Sequence, residues 1–307
     1  MNPGRRPLSV LLAVVAATAC LVIATEGAAD SYIYVEDGVA WQLNGADATD
    51  FLRRPEQDVR GVAFDGAGHL WVSTAWGDED CMLSSPNFPG VQITTDDLAY
   101  PGGTKAKNIH LCWIGQGPGE SLLVDGDYGS AGSSVIWQFN TRSLALRRIA
   151  PGLRGAASPR GAFAASRHTY FRYPRVGTWD ALTLGWLDRP SSIRTAVRAP
   201  RERSSDTQMW TSPAFSASGR LAVSRDGRAV VGKPGAWTAV GPRGKSIGSM
   251  AWDSGGDLFA VTTYPCCSLI RIPQGRPGPT EVWIDGDGEY MNSLAIGPQA
   301  AAPLAAP

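Results

Sequence analysis

The sequence has no excess of charge of either sign, and it is poor in histidine and cysteine. Its 307 residues include 28 basic and 28 acidic side chains, three histidines and five cysteines. A near-neutral chain gives no electrostatic reason to expect nucleic acid or an anionic membrane as partner. Neither a G-x-x-x-x-G-K-[ST] phosphate loop nor an H-E-x-x-H zinc motif occurs. The sequence therefore lacks the best-known signatures of nucleotide and zinc chemistry.

Long hydrophobic runs are also scarce, and the one present lies at the N-terminus. Arg5 and Arg6 precede an apolar stretch without charge at residues 8–24, and small residues at 27–29 come before Asp30. This arrangement predicts a signal peptide over residues 1–29 and export of the mature chain. The alternative is an uncleaved membrane anchor, because the apolar run approaches a membrane span in length. Residues 299–307, rich in Ala and Pro, predict a disordered tail.

What is abundant is glycine (36) and proline (22), a composition typical of short strands joined by turns. Residues 60–74 read as a strand, a glycine-bearing turn and a second alternating strand. Copies are placed at 111–124, 161–171, 213–224 and 250–262, with a truncated copy at 293–298. The period matches a four-stranded propeller blade. We therefore predict an all-β, six-bladed β-propeller of four-stranded antiparallel blades over residues 30–298, with blades two to six at 61–96, 108–150, 161–197, 213–240 and 249–284.

The two ends of the chain predict how the ring closes. Residues 31–36 and 39–44 read as strands of the first blade, which lacks its innermost strand. The orphan segment 292–297 can supply that strand, which would leave no sheet edge exposed at the junction. The sequence Val-Ala-Trp-Gln-Leu-Asn at 39–44 has a close copy, Val-Ile-Trp-Gln-Phe-Asn, at 135–140. Both segments are predicted to be third strands.

The repeat resembles that of known propeller families. The form G-V-A-F-D-G-A-G-H-L-W-V, from Gly61 to Val72, resembles the NHL and gluconolactonase-like group, with TolB-like propellers close behind. The resemblance implies a six-bladed propeller, a fold that hosts hydrolases, lyases and binding modules alike. Gluconolactonase-like enzymes hold a divalent metal at the axis with Glu, Asn and Asp side chains. Where those families often place Asp after the second strand, this chain has Thr74, Arg225 and Thr262, and only Asp125 fits.

Candidate binding residues follow from the predicted face that carries the turns between second and third strands. Insertions on this face of a propeller usually build the binding surface. The carboxylates there could hold a cation or an amine, and the guanidinium groups a carboxylate or phosphate. Ordinary solvated turn charge accounts for the same pattern. The candidates are Trp76, Asp78, Asp80, Asp125, Asp127, Tyr128, Arg172, Arg225, Tyr264, Asp287 and Glu289.

A weak metal signal lies within this set. Asp125, Gly126 and Asp127 place alternate carboxylates beside a glycine, an arrangement that suits calcium or another divalent cation. The same letters also mark a plain turn. No other cofactor is predicted.

The cysteines predict disulfides. Cys20 leaves with the signal peptide, so Cys81, Cys112, Cys266 and Cys267 remain, an even number in an exported chain. A bridge needs Cα atoms within roughly 7 Å. Cys81 and Cys112 fall in neighbouring blades, and the other two cysteines are adjacent in sequence, which favours the pairs Cys81–Cys112 and Cys266–Cys267. Reduced thiols, or a link across the ring, are the alternatives.

These observations predict a secreted, monomeric binding module that recognises a small molecule, protein or peptide at the mouth of the propeller channel. Nucleic acid is not expected as partner, nor a membrane span after signal removal. The alternative is an enzyme: a metal-dependent hydrolase of lactonase or esterase type, or a lyase. Its axial metal would be held by some of Asp78, Asp80, Asp125, Asp127 and Asp287.

Overall fold

The structure is a computed structural model, and it describes most of the chain between residues 30 and 298. The described ranges are 30–44, 47–52, 57–75, 81–100, 102–106, 109–127, 134–170, 178–198, 210–264, 267–285 and 291–298. The predicted signal peptide and tail lie outside these ranges. Within them, no helix has the length and apolar composition needed to cross a membrane.

The described residues form twenty-four strands and two short 3₁₀ helices, at Thr95–Asp97 and Pro273–Gly275. The strands are β1 Asp30–Glu36, β2 Val39–Asn44, β3 Asp47–Leu52, β4 Asp58–Phe64, β5 Leu70–Ala75, β6 Met82–Ser84, β7 Gln92–Ile93, β8 Ile109–Gln116, β9 Ser121–Asp127, β10 Ser134–Asn140, β11 Leu146–Pro151, β12 Leu153–Ala157, β13 Ala162–Tyr170, β14 Thr178–Trp186, β15 Arg189–Arg198, β16 Trp210–Phe215, β17 Leu221–Arg225, β18 Arg228–Lys233, β19 Ala236–Ala239, β20 Ser246–Trp252, β21 Leu258–Tyr264, β22 Ser268–Ile272, β23 Glu281–Asp285 and β24 Met291–Pro298.

These strands make six four-stranded antiparallel sheets, which are the six predicted blades. Five blades use consecutive strands, and the first has the order β24-β1-β2-β3. The innermost strands β4, β8, β12, β16, β20 and β24 each contact the next around the ring. The predicted fold class, a closed six-bladed β-propeller, is confirmed.

Ring closure is also confirmed. Strand β24 pairs antiparallel with β1, with Ile296 opposite Tyr32 and Ser293 opposite Val35. The C-terminal strand thus completes the blade that the N-terminal strands begin, and it removes the edge that β1 would otherwise expose. The predicted equivalence of residues 39–44 and 135–140 holds as well, since β2 and β10 are both third strands.

A tight turn encoded by the repeat ends most innermost strands. After β4, the N–H of Asp65 donates to the carbonyl of His69, and the Asp65 carboxylate accepts from the N–H groups of Ala67 and His69. Gly68 has a φ of +88°, where a side chain would be strained. Gly161, Gly219 and Gly256 hold the same place in blades four, five and six. An Asp or Ser followed three residues later by glycine therefore marks the end of an innermost strand in these four blades.

The predicted boundary of blade four is wrong. The copy of the repeat placed at residues 161–171 was expected to be the innermost strand, but it is β13, the second strand. The innermost strand is β12, so blade four spans residues 153–198 rather than 161–197. Gly161 belongs to the turn rather than to the start of a strand. The sequence Gly-Ala-Phe at 161–163 resembles Gly-Val-Ala-Phe of β4, which is why the second strand was predicted to be the first.

The hydrophobic core lies between blades rather than at one centre. One cluster joins blades two and three, with Trp71, Leu111 and Trp137 buried in it. Another joins blades six and one through Phe259 and Tyr34. Each blade therefore buries its two faces against its neighbours, and the innermost strands are left to line the axis.

Candidate functional site

The six innermost strands enclose a narrow axial channel. Its walls are built from all six of them, and its cavity volume is about 90 Å³. Pockets for drug-sized ligands usually occupy roughly 300–1,000 Å³. The channel is therefore too small to enclose such a ligand, and its mouth is the place where a ligand could reach it.

Each innermost strand loses register with the second strand of its own blade. The irregularities fall at Arg60, Leu111 to Trp113, Arg154 with Gly155, Ser212 with Pro213, Gly248 and Asn292. They lie in the first half of each strand, toward the face that carries the turns between second and third strands, called here the upper face. A β-bulge bends its strand and re-aims side chains, and bulges are common beside binding sites.

The largest bulge is in blade three. His110 lies opposite Asp125 and Ile114 lies opposite Val124, so three extra residues are inserted in β8. Of these, Leu111 is buried in the core and Trp113 lines the channel. Because of these extra residues, the residue of β8 that corresponds to Phe64 of β4 is Gln116, and Trp113 lies three residues earlier, within the bulge.

The middle residue of this bulge carries the confirmed disulfide. Cys112 is bridged to Cys81, which precedes β6 in blade two, and their Cα atoms are 4.9 Å apart. Cys267 is buried. Cys266 lies outside the described residues, so the vicinal bridge stays a prediction.

Arg154, in the bulge of blade four, faces Trp113 across the junction of blades three and four. Its guanidinium carbon lies 4.4 Å from the centre of the Trp113 ring, a cation–π arrangement. Arg154 is exposed, Trp113 is half-buried, and both line the channel. The backbone of Arg154 has a φ of +52°. Such strain in a non-glycine residue persists only where the surroundings hold it.

The carboxylate of Asp125 holds the backbone of Arg154 in this conformation. The backbone N–H of Arg154 donates to Oδ1 of Asp125 at 3.0 Å and to Oδ2 at 3.2 Å. Asp125 is buried, and this burial raises the pKa of its carboxyl to about 7, an effect that the Arg154 N–H partly offsets. The carboxylate thus ties blade three to the bulge of blade four, at the backbone of the residue that carries the exposed guanidinium.

The two predicted cation ligands, Asp125 and Asp127, lie in a strand and not in a turn. Asp125, Gly126 and Asp127 belong to strand β9 rather than to a turn, and only the backbone of Asp127 is described. Among the residues that the structure describes, no group of three His, Cys, Asp or Glu side chains could hold a metal ion. Cation binding by Asp125 and Asp127 stays a prediction.

The predicted residue Arg225 lies at the end of β17 on the upper face. Its guanidinium carbon is 5.3 Å from the centre of the Trp210 ring, and its Nε is 3.7 Å from the Asp226 carboxylate. Trp210 opens the innermost strand of blade five. Arg225 therefore belongs to the same face as Arg154, one blade further around the ring.

The remaining predicted site residues cannot be placed in this way. Tyr264 is described by its backbone only, at the end of β21. The others lie outside the described residues: Trp76, Asp78, Asp80, Tyr128, Arg172, Asp287 and Glu289.

Sequence reasoning missed Arg154 and Trp113 as site residues, and one motif. The bulges have no simple letter code, although the glycines on either side of Leu153 and Arg154 are a local hint. Residues 244–248 match the G-x-S-x-G letters of a nucleophile elbow. That motif needs a strand–turn–helix context. Ser246 instead opens strand β20, so the match carries no catalytic meaning.

No protein-family model matches the sequence, and no curated protein matches it. Among solved structures, the chain is similar to TolB from Acinetobacter baumannii, with a TM-score of 0.60, 12% identity and coverage of 88% of this chain and 66% of that one. It thus spans slightly less than two thirds of that TolB chain. A protein of unknown function from Bacteroides caccae matches with a TM-score of 0.45 and 11% identity, over 88% of this chain and 100% of that one.

At these identities the likeness shows the fold alone. It confirms the predicted resemblance to TolB-like propellers at the level of architecture. The narrower NHL or gluconolactonase-like assignment stays a prediction.

Proposed function

We propose that this protein is an exported binding module that recognises an anionic group of a small molecule, protein or peptide at the upper mouth of its channel. The observation that carries the proposal is the exposed guanidinium of Arg154, seated over Trp113 at the channel wall. A guanidinium presents a planar fork of N–H donors that matches a carboxylate or a phosphate in two parallel hydrogen bonds. The ring beside it offers an apolar surface to the rest of the ligand.

The backbone under this group is fixed before any ligand arrives. The bulge that carries Arg154 is held by the buried carboxylate of Asp125, which accepts its N–H. Trp113 is anchored next to Cys112, whose sulfur is bridged to Cys81 in the preceding blade. Preorganisation of this kind reduces the entropy that binding must offset.

Export is proposed together with binding. The Cys81–Cys112 disulfide is of the kind that persists in oxidising compartments outside the cytosol. The charged and apolar segments of residues 1–29 supply the matching signal. We expect the mature protein to begin near Asp30 and to be a monomer.

Arg154 offers a direct test with a matched control. Phenylacetate and phenyl phosphate are titrated calorimetrically, with phenylacetamide as the neutral analogue. The Arg154→Gln variant should bind the two anions about tenfold more weakly or worse, because a hydrogen bond to a charged group is lost. Arg189→Gln is the control, since Arg189 also faces a ring, that of Trp186, but at the β14–β15 turn, away from the channel. Unsaturable binding to the wild type, or equal affinity in both variants, would contradict the proposal.

The enzyme alternative has its own test. Protein purified without chelator is analysed for divalent metal and assayed for lactonase and esterase activity. A stoichiometric ion whose removal abolishes such activity would replace the binding proposal with the metal-dependent one.

A further inference from the structure

A second concave site lies on the upper face between blades five and six. Its volume is about 460 Å³, within the range of small-ligand pockets. One wall is the turn between β17 and β18, and the other is the connection from β19 to β20. The site, called here the blade-five pocket, is lined by Arg225, Asp226, Arg228, Arg243 and Lys245 together with small and apolar residues.

The charge of the blade-five pocket is one-sided. Four of its lining side chains are cationic and only Asp226 is acidic. The whole chain has no net charge, so this concentration is local. A concave surface lined by one sign of charge concentrates ions of the opposite sign.

Two of the cations face each other across a hairpin. Arg225 and Arg228 are directly paired residues of β17 and β18. Like charges placed opposite each other destabilise a strand pair. The carboxylate of Asp226 lies 3.7 Å from Nε of Arg225. One carboxylate offsets one of the two charges, and an anion between the guanidinium groups would offset the other.

The pocket walls are fixed by hydrogen bonds. Nε of Arg228 donates to the carbonyl of Gly241 at 2.9 Å, which orients its guanidinium. The N–H of Ile247 donates to the carbonyl of Gly227 at 2.8 Å, which joins the hairpin turn to strand β20. Asp226 and Gly227 have φ values of +52° and +72°, as a tight type I′ hairpin turn requires. The cations are therefore held in a built concavity rather than scattered on loops.

We propose that the blade-five pocket binds a small multivalent anion, such as a pyrophosphate or phosphate ester or a polycarboxylate. Four cations against one carboxylate leave an excess of positive charge that a monovalent ion cannot neutralise. Guanidinium forks and an ammonium group are the donors that proteins use for phosphate and carboxylate. A nucleic acid duplex is disfavoured because its binding needs a broad basic surface, and this chain is neutral overall. Arg154 does not line this pocket, so the inference does not rest on the proposed function.

The test is a calorimetric titration of the exported chain with inorganic pyrophosphate and with citrate, using acetate as the monovalent reference. The wild type should bind one multivalent anion per chain, and the tighter of the two probes identifies the chemistry. The double variant Arg228→Gln, Lys245→Gln should bind at least about tenfold more weakly, because two charged donors are lost. The control Arg189→Gln, Lys233→Gln removes the same charges elsewhere and should bind as the wild type does.

Thermal unfolding gives a second readout that does not depend on affinity alone. Without anion, Arg228→Gln loses the bond to the Gly241 carbonyl but relieves a like-charge pair, so its Tm should change little. With pyrophosphate, the Tm of the wild type should rise and that of the double variant should not. Should the double variant fail to fold, Arg225→Gln takes its place, because it leaves the Arg228–Gly241 bond intact.

Three outcomes would overturn the inference: no saturable binding of either anion, undiminished binding to the variants, or binding of duplex DNA in preference to pyrophosphate. Retention of pyrophosphate binding by Arg154→Gln separates this pocket from the channel mouth. The proposal for either site can therefore be refuted while the proposal for the other stands.

Discussion

Replacing Asp125 by Asn should change how the stability of the protein depends on pH. The Asp125 carboxyl has a pKa of about 7 in the folded protein, against 3.8 for an ordinary Asp, because burial disfavours its charged form. A raised pKa means that the folded state retains the proton to higher pH than the unfolded chain. The stabilisation is therefore fully present below pH 3.8 and is lost as the pH rises through about 7.

The magnitude follows from the difference between the two pKa values. Each pKa unit corresponds to about 1.4 kcal/mol, so up to about 4 kcal/mol of the free energy of unfolding is lost between roughly pH 4 and pH 7. Asn keeps an oxygen that can accept the Arg154 N–H, but it does not titrate. The Asp125→Asn variant should therefore lack this loss, and its advantage over the wild type should grow as the pH rises.

Urea denaturation, followed by tryptophan fluorescence at a series of pH values, measures this directly. Other groups also titrate, so the informative quantity is the difference between wild type and variant at each pH. Asp188→Asn is the control, because it makes the same substitution at a side chain that is 70% exposed. An Asp125→Asn variant with the slope of the wild type would refute the reasoning and show that the carboxyl is solvated in the folded state.

Two further predictions concern the junctions between blades. Replacing both Cys81 and Cys112 by Ala should lower the free energy of unfolding by about 3 to 4 kcal/mol, as the loop-entropy model gives for a separation of 31 residues. Denaturant titration checks it, and reductant should bring the wild type to the same value; an unchanged midpoint would contradict it. Gly115→Ala should cost about 1 to 3 kcal/mol, because the added Cβ would overlap the carbonyl oxygen of Gly155 in the next blade. Gly278→Ala, where a Cβ meets nothing within 4 Å, is the matched control, and equal melting temperatures would count against close packing there.

The candidate site was predictable only in part. Arg225 could be assigned to the upper face because it follows a second strand, and strand order determines the face. Arg154 and Trp113 could not, because they reach the channel through bulges in β12 and β8 that have no simple letter code. The Asp-Gly-Asp sequence at 125–127 predicted a cation site. In the structure, the carboxylate of Asp125 accepts a hydrogen bond from the backbone N–H of Arg154, 29 residues later.

The sequence by itself determined the number of blades and the closure by the C-terminal strand, and it favoured the Cys81–Cys112 pair that the structure contains. The blades and their closure follow from alternation with period two, from the glycines of the repeated turn and from the need to cover sheet edges, and the first two can be read from short stretches of sequence. Only the tertiary structure decided which strand of blade four is innermost and what surrounds Asp125. First and second strands of a blade are equally apolar, so Gly161 and the residues after it look like either one. Radial position and burial are set by contacts between blades, and those contacts join residues that no local pattern links.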